Sequence, residues 1–233
     1  MDGEATGVYS NRQIKDAISR GQIVFYPYSE QNINGSSVDL TLGYWFYRTE
    51  QPTGKSVYNP LDEFEVYQYF DGPHQAIAHR QWCETYGYRL FAGIPEEHPI
   101  IVLGPGQRIL AHTHEFVGIR PPGTTSLQAR STWGRNGVAV CLDAGWGDPG
   151  YINRWTLEVY NLNQNHSVIL PVGERIVQMV FYHTGEVDGE YASLSGKYQA
   201  AGADQVRSII DGWRPEQMLP RAFKDSRNLP QAV

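Results

Sequence analysis

The stretch that decides this chain is Ser126–Asn161, SLQARSTWGRNGVAVCLDAGWGDPGYINRWTLEVYN. It holds two dense clusters. The first is Arg130-Ser131-Thr132, with Arg135 and Gly137 close behind. Two guanidiniums and two hydroxyls within six residues make a donor-rich patch suited to phosphate oxygens. The second is Asp148-Pro149-Gly150-Tyr151, followed ten residues after Asp148 by Glu158. The segment Trp155–Tyr160 alternates and is rich in aromatic and β-branched residues, which predicts a strand. On it Trp155, Leu157 and Val159 share one face, and Thr156, Glu158 and Tyr160 share the other. Leu157 and Val159 suit a core, so Glu158 looks out from the opposite face, where a carboxylate can meet a ligand. Each piece alone has a plainer reading. An arginine-serine run is commonly a solvated turn, Asp-Pro-Gly is commonly only a turn, and a glutamate on a polar strand face usually meets water. Their order and spacing together are harder to dismiss.

Outward from this stretch the pattern stays short and alternating. Residues 100–120 read as two strands around the Pro105-Gly106 turn, and Val168–Phe181 repeats that strand–turn–strand arrangement. Further upstream, Asn34-Gly35 marks a turn before alternating Val38, Leu40 and Leu42. Residues 9–27 read as a short helix and a strand. Ser10 is its N-cap, Ile14, Ala17 and Ile18 form one face, and Gly21 follows the end. The least legible part is 47–100, which predicts extra strands or a long surface excursion. His74, His79 and His98 there lack ligand-like spacing.

Composition agrees with many short strands. The 233 residues carry 24 Gly, 14 Pro and 15 Tyr, and only 19% are charged. A net charge of −6 argues against broad nucleic-acid binding. Cys83 and Cys141 make no disulfide framework and sit in no Cys/His cluster of zinc spacing. With no apolar run of membrane length and no signal-like segment, a soluble, cytoplasmic protein is the expectation.

On these motifs the chain resembles the dCTP deaminase and dUTPase superfamily, most closely its dCTP deaminase branch. The RSS-x-x-R-x-G motif stands here as Arg130-Ser131-Thr132-Trp133-Gly134-Arg135-Asn136-Gly137. The A-G-(x)2-D-P-G-aromatic element is Ala144–Tyr151, and T-L-E is Thr156-Leu157-Glu158. G-(D/E)-R-I-x-Q is Gly173–Gln178, and Tyr191 with Lys197-Tyr198 matches the family's tyrosine and K-Y. Asn34–Gly43 is similar to the segment that dUTPases write A-G-Y-D-L.

The resemblance implies a mostly β, dUTPase-like distorted barrel or jelly roll with a short N-terminal helix. It implies one domain over 1–233, with 47–100 as an insertion unusual for the family and 206–233 as a tail. That tail, matching no motif, would pack across a neighbouring subunit or be only partly ordered. It also implies a homotrimer with sites at subunit interfaces. The implied reaction is zinc-independent hydrolytic deamination of dCTP, coupled to triphosphate hydrolysis that gives dUMP and pyrophosphate and so supplies dTMP synthesis. Deamination ending at dUTP, dUTP hydrolysis alone, and a non-catalytic nucleotide-binding regulator are the alternatives. The zinc deaminase signature, H-x-E with P-C-x-x-C, is absent.

By the same resemblance Glu158 is the base and proton carrier, and Ser131 and Arg135 position water and base. Asp148 activates the water that attacks the α-phosphate. Arg130, Thr132 and Lys197 hold phosphates, and Ala144, Thr156, Leu157, Gln178 and Tyr191 complete the nucleotide site. Mg²⁺ is expected with the triphosphate and with no direct protein ligand. Asp39 either steadies it through water or is a strand-edge aspartate. dCTP and dUTP are the expected ligands, with dTTP as an inhibitor. Gly145, small beside Ala144, is a feature of the dUMP-forming members. Two positions depart from the pattern: Asp143, where threonine is usual, and Ala201, where a second glutamine is usual.

Overall fold

Two long strands run through the middle of the molecule, and most of the rest is laid on one face of them or the other. The computed structural model describes residues 7–49, 57–142, 144–194, 196–199 and 201–225. In chain order the strands are β1 (Ile23–Tyr26), β2 (Val38–Thr41), β3 (Trp45–Thr49), β4 (Phe70–Gln75), β5 (Ile77–Ala78), β6 (Pro99–Leu103) and β7 (Arg108–Ile119). They continue as β8 (Thr124–Ala129), β9 (Val138–Val140), β10 (Trp146–Gly147), β11 (Ile152–Asn161), β12 (Val168–Pro171) and β13 (Arg175–Tyr182). The helices are α1 (Asn11–Ser19), α2 (Glu63–Tyr69), α3 (His79–Tyr86), α4 (Ser131–Arg135), α5 (Tyr191–Leu194) and α6 (Val206–Gly212). No helix among the described residues is long and apolar enough to cross a membrane.

The protein is mostly β, as its short alternating segments require. Its strands form three antiparallel sheets rather than one closed ring. The largest runs β4-β3-β7-β11-β9, with β1 also on β7; the others run β10-β8-β13-β2 and β12-β6-β5. The short N-terminal helix is present. Ser10 and Gln13 cap it reciprocally, and it buries Ile14 and Ala17.

Alternation on β11 decides the two sides of the large sheet. Leu157 and Val159 enter the main core with Ile109, Ala111, Leu40, Val177 and Phe181. The opposite face of β7 and β11 carries a second core, in which Tyr47, Leu110 and Phe116 meet Val66, Phe70, Trp213 and Met218. Val66 and Phe70 belong to the 47–100 segment, which forms strands β4 and β5 together with helices α2 and α3. Trp213 and Met218 belong to the tail. The described tail, to Asp225, packs on its own chain. The physical reason is that Ile209, Trp213, Met218 and Leu219 present apolar surface that this sheet face leaves uncovered. Residues 226–233 and Asp143 lie outside the described residues.

A buried glutamine ties the tail down. Gln199 accepts from the Ile152 amide (2.8 Å) and donates to the Gly150 and Ala201 carbonyls (2.9 and 3.0 Å). Position 201 lacks the expected glutamine; Gln199 makes the buried contacts instead.

Leu157→Ala should cost about 2–5 kcal/mol, because it leaves a cavity in a closed core where the side chain is 0% exposed. Leu162→Ala, at a leucine 58% exposed, should change stability by less than about 0.5 kcal/mol. Urea unfolding of both variants checks the contrast.

Candidate active site

The polar face of β11 opens into a cavity of about 540 Å³, well inside the usual range for small-ligand sites. Thr156 and Glu158 enter it from β11, and Arg108 and Leu110 from β7. The antiparallel register sets Glu158 opposite Leu110 and Tyr160 opposite Arg108. Ala144 and Asp148 come from the loop around β10. Tyr191 and Tyr198 come from the segment before the tail, Met218 from the tail, and Tyr58 and Phe70 from the 47–100 segment. The Tyr58 hydroxyl is buried and has no partner among the described residues.

Glu158 is half-buried, and loss of water raises its carboxyl above the ordinary carboxylate range. Its own backbone amide, the Cys141 thiol and the charge of Arg108 pull the other way. A carboxyl raised in this way is better suited than an ordinary carboxylate to take a proton and return it. Burial raises the Cys141 thiol strongly, so it stays protonated and unreactive.

Cys141 and Leu142 hold positive φ angles of 57° and 23°, rare for residues with a side chain. Two bonds keep this turn in place. The Cys141 amide donates to the Glu158 carbonyl (2.9 Å), and the Ala144 amide donates to the Cys141 carbonyl (2.7 Å). The strained turn thereby joins Ala144 to the strand that carries Glu158. Gly145 has a local cause: a Cβ there would overlap the Leu127 carbonyl oxygen. Close backbone packing by itself requires a small residue here.

The arginine-serine cluster is elsewhere. Ser131, Thr132 and Arg135 are exposed on α4 and do not line the cavity. Trp133 pins that helix by donating its indole N–H to the Arg175 carbonyl (3.0 Å). Arg130, at the start of α4, forms an ion pair with Asp39, whose Oδ2 also meets Arg175 at 3.2 Å. Asp39 is 1% exposed, and its Oδ1 has no partner among the described residues. A carboxylate already held by two guanidiniums and shut from water does not fit a water-bridged magnesium ligand. Its work in this chain is to orient Arg130 and Arg175. Among the described residues no three His, Cys, Asp or Glu side chains converge as a metal site.

Of the residues expected from sequence, Ala144, Asp148, Thr156, Glu158 and Tyr191 line one cavity. Leu157 needs correcting, because its side chain is in the main core on the face away from Glu158. Gln178 pairs between Asp39 and Gln128 in the four-stranded sheet and does not line the cavity. Lys197 bonds Asp225 in the tail at 2.8 Å. Arg108 went unassigned in the sequence, although alternation from the Pro105-Gly106 turn could have placed it on the Glu158 face. Tyr58, Phe70 and Met218 gave no such signal, since only the folded chain brings them there.

The dCTP deaminase-like family profile matches residues 8–184. The chain belongs to that family. A protein of Methanopyrus kandleri named dCTP deaminase, dUMP-forming, is 32% identical over 197 residues, 82% of this chain and 90% of that one. A Natronomonas pharaonis protein named dCTP deaminase is 31% identical over 206 residues, 87% of this chain and 94% of that one. Among solved structures, the 2′-deoxycytidine 5′-triphosphate deaminase of Agrobacterium tumefaciens shares the fold, with a TM-score of 0.52 and 16% identity. That match covers 77% of this chain and 49% of that longer one.

The raised Glu158 carboxyl has a consequence for stability. The folded protein binds this proton more tightly than the unfolded chain does. The resulting stabilisation is present in acid and is lost as pH rises through the unfolded and then the folded pKa. Glu158→Gln should therefore raise the melting temperature relative to wild type at pH 8, and by less at pH 4.5. Thermal unfolding at the two pH values measures the difference.

Proposed function

We propose that this chain deaminates dCTP without zinc and carries the product on to dUMP and pyrophosphate. The observation that carries this reading is Glu158, half-buried in the same cavity whose rim holds Asp148. In the deamination, water adds to cytosine C4 as Glu158 takes one of its protons. The proton passes to N3, and a second transfer through the carboxyl lets ammonia leave and restores the C4 carbonyl as uracil. A raised carboxyl suits both directions of transfer. In the second reaction Asp148 activates a water that attacks the α-phosphate, and pyrophosphate leaves. Mg²⁺, when bound with the triphosphate, neutralises phosphate charge. Asp148 is exposed at the cavity rim and is the carboxylate placed to face such a complex.

The site needs a second copy of the chain. Ser131 and Arg135 point into solvent on α4, while Glu158 lies in the cavity of the same chain. In a homotrimer with shared sites, α4 of one subunit would bring its hydroxyl and guanidinium to the Glu158 of the next. Arg130, fixed by Asp39, and Thr132 would meet phosphates from the same helix. dTTP, which lacks the amino group, would occupy this pocket as an inhibitor. The relatives named dUMP-forming favour the two-step product; a reaction that stops at dUTP is the second reading.

Glu158→Gln should reduce ammonia release from dCTP by at least about 10²–10⁴-fold. Asp148→Asn should suppress pyrophosphate release more than ammonia release. Chromatography of the nucleotide products distinguishes the readings, since dUTP that persists with excess wild-type enzyme and Mg²⁺ means deamination only. Mixing inactive Glu158→Gln with inactive Arg135→Ala subunits should restore part of the activity, because some interfaces then carry both intact residues. No recovery after verified subunit exchange rejects the shared site.

A further inference from the structure

Arg108 is a cation without a carboxylate. It lies on β7, two residues along from Leu110, the residue opposite Glu158, and so on the same face of the strand. Among the described residues it forms no ion pair. Two tyrosines hold it instead. Nη1 donates to the Tyr160 hydroxyl and Nη2 to the Tyr69 hydroxyl, each at 3.4 Å. The guanidinium carbon also sits 5.9 Å from the Tyr69 ring centre and 6.0 Å from that of Tyr160. Tyr69 is braced in turn by Tyr58, whose ring stacks on it at 4.2 Å. Tyr58 and Tyr69 both come from the 47–100 segment. An arginine is not left half-buried and clamped beside a reacting carboxyl without consequence for that carboxyl.

We propose that Arg108 is a positioning residue for the deamination, supplying the positive charge that keeps Glu158 ionised and ready to take a proton from water. The clamp of Tyr69 and Tyr160 fixes the guanidinium near the carboxyl without letting it close into an ion pair. A direct pair would hold the carboxylate too tightly to act as a base. Without a cation nearby, burial would favour the protonated form unopposed by positive charge. The 47–100 segment thus takes part in the chemistry through Tyr69, at one remove from the substrate.

The other groups that face Glu158 supply no competing positive charge. Cys141 lies beyond β9 and is held as a neutral thiol. Asp148, which also lines the cavity, is an acid and brings no positive charge. Burial raises Tyr58, Tyr151 and Tyr191, which stay neutral at working pH. His112, farther along β7, is pushed down to about 3 by burial and is also neutral. Among the described residues, Arg108 is the cation that lines the cavity with this carboxyl and acts on it.

The inference rests on the reading of Glu158 as the proton carrier, and one set of variants separates the two. The measurement is kcat/KM for dCTP from pH 5.5 to 9 with wild type, Arg108→Gln, Arg108→Lys and Glu158→Gln. Arg108→Gln should lose activity unevenly, with a loss at pH 6 at least about fivefold greater than at pH 8.5. Arg108→Lys keeps the charge and should lose activity evenly, with the acid limb unmoved. Infrared titration of the Glu158 carboxyl stretch, assigned by its absence in Glu158→Gln, should show protonation persisting to higher pH in Arg108→Gln. An even loss across pH for Arg108→Gln, with an unmoved carboxyl titration, overturns the role of Arg108 while leaving Glu158 in place. Full activity in Glu158→Gln overturns the underlying reading instead. Where Arg108→Gln does not fold, Arg108→Lys decides, because a change in the shape of its profile contradicts a role through charge.

Discussion

The pairing of β7 with β11 is the constraint on which the rest of the structure depends. The two strands run antiparallel over most of their length, with Leu157 opposite Ala111 and Glu158 opposite Leu110. A shift of one residue would exchange the faces, sending Glu158 into the main core and Leu157 into the cavity. Burial of Leu157, Val159, Ile109 and Ala111 on one side makes that shift costly. The hydrophobic core thereby fixes the direction of the carboxylate.

What lies over the other face explains the character of the site. A polar sheet face open to water would leave Glu158 an ordinary carboxylate. Here Phe70 from the 47–100 segment and Met218 from the tail wall it in, and the loss of water raises its proton affinity. These two segments are the least family-like parts of the sequence. They set the burial of a carboxylate supplied by the most family-like part.

Two ways of holding arginine divide the chemistry. Asp39 is buried and grips Arg130 and Arg175, fixing guanidiniums at the foot of the exposed helix α4. Arg108 is held by tyrosines, which orient it but leave its charge uncompensated. The first arrangement suits phosphate capture at a surface. The second suits electrostatic control inside a cavity. The left-handed turn at Cys141 and Leu142 is bonded to the backbone of Glu158.

The sequence by itself determined the short-strand architecture, the faces of β11 and the motif that gathers Ala144, Asp148, Thr156 and Glu158. Strand periodicity is local, and a family motif written within fifteen residues stays together when it folds. It also determined the helix start at Ser10, because a capping box needs only neighbouring residues. Tertiary structure alone decided that Asp39 is spent on two arginines and that Lys197 bonds Asp225. It alone brought Tyr58 and Met218 to the cavity that holds Glu158. Those contacts join residues more than fifty positions apart, and no pattern in a linear chain encodes which apolar segment will cover which sheet face. That choice is made by burial, once the strands have paired.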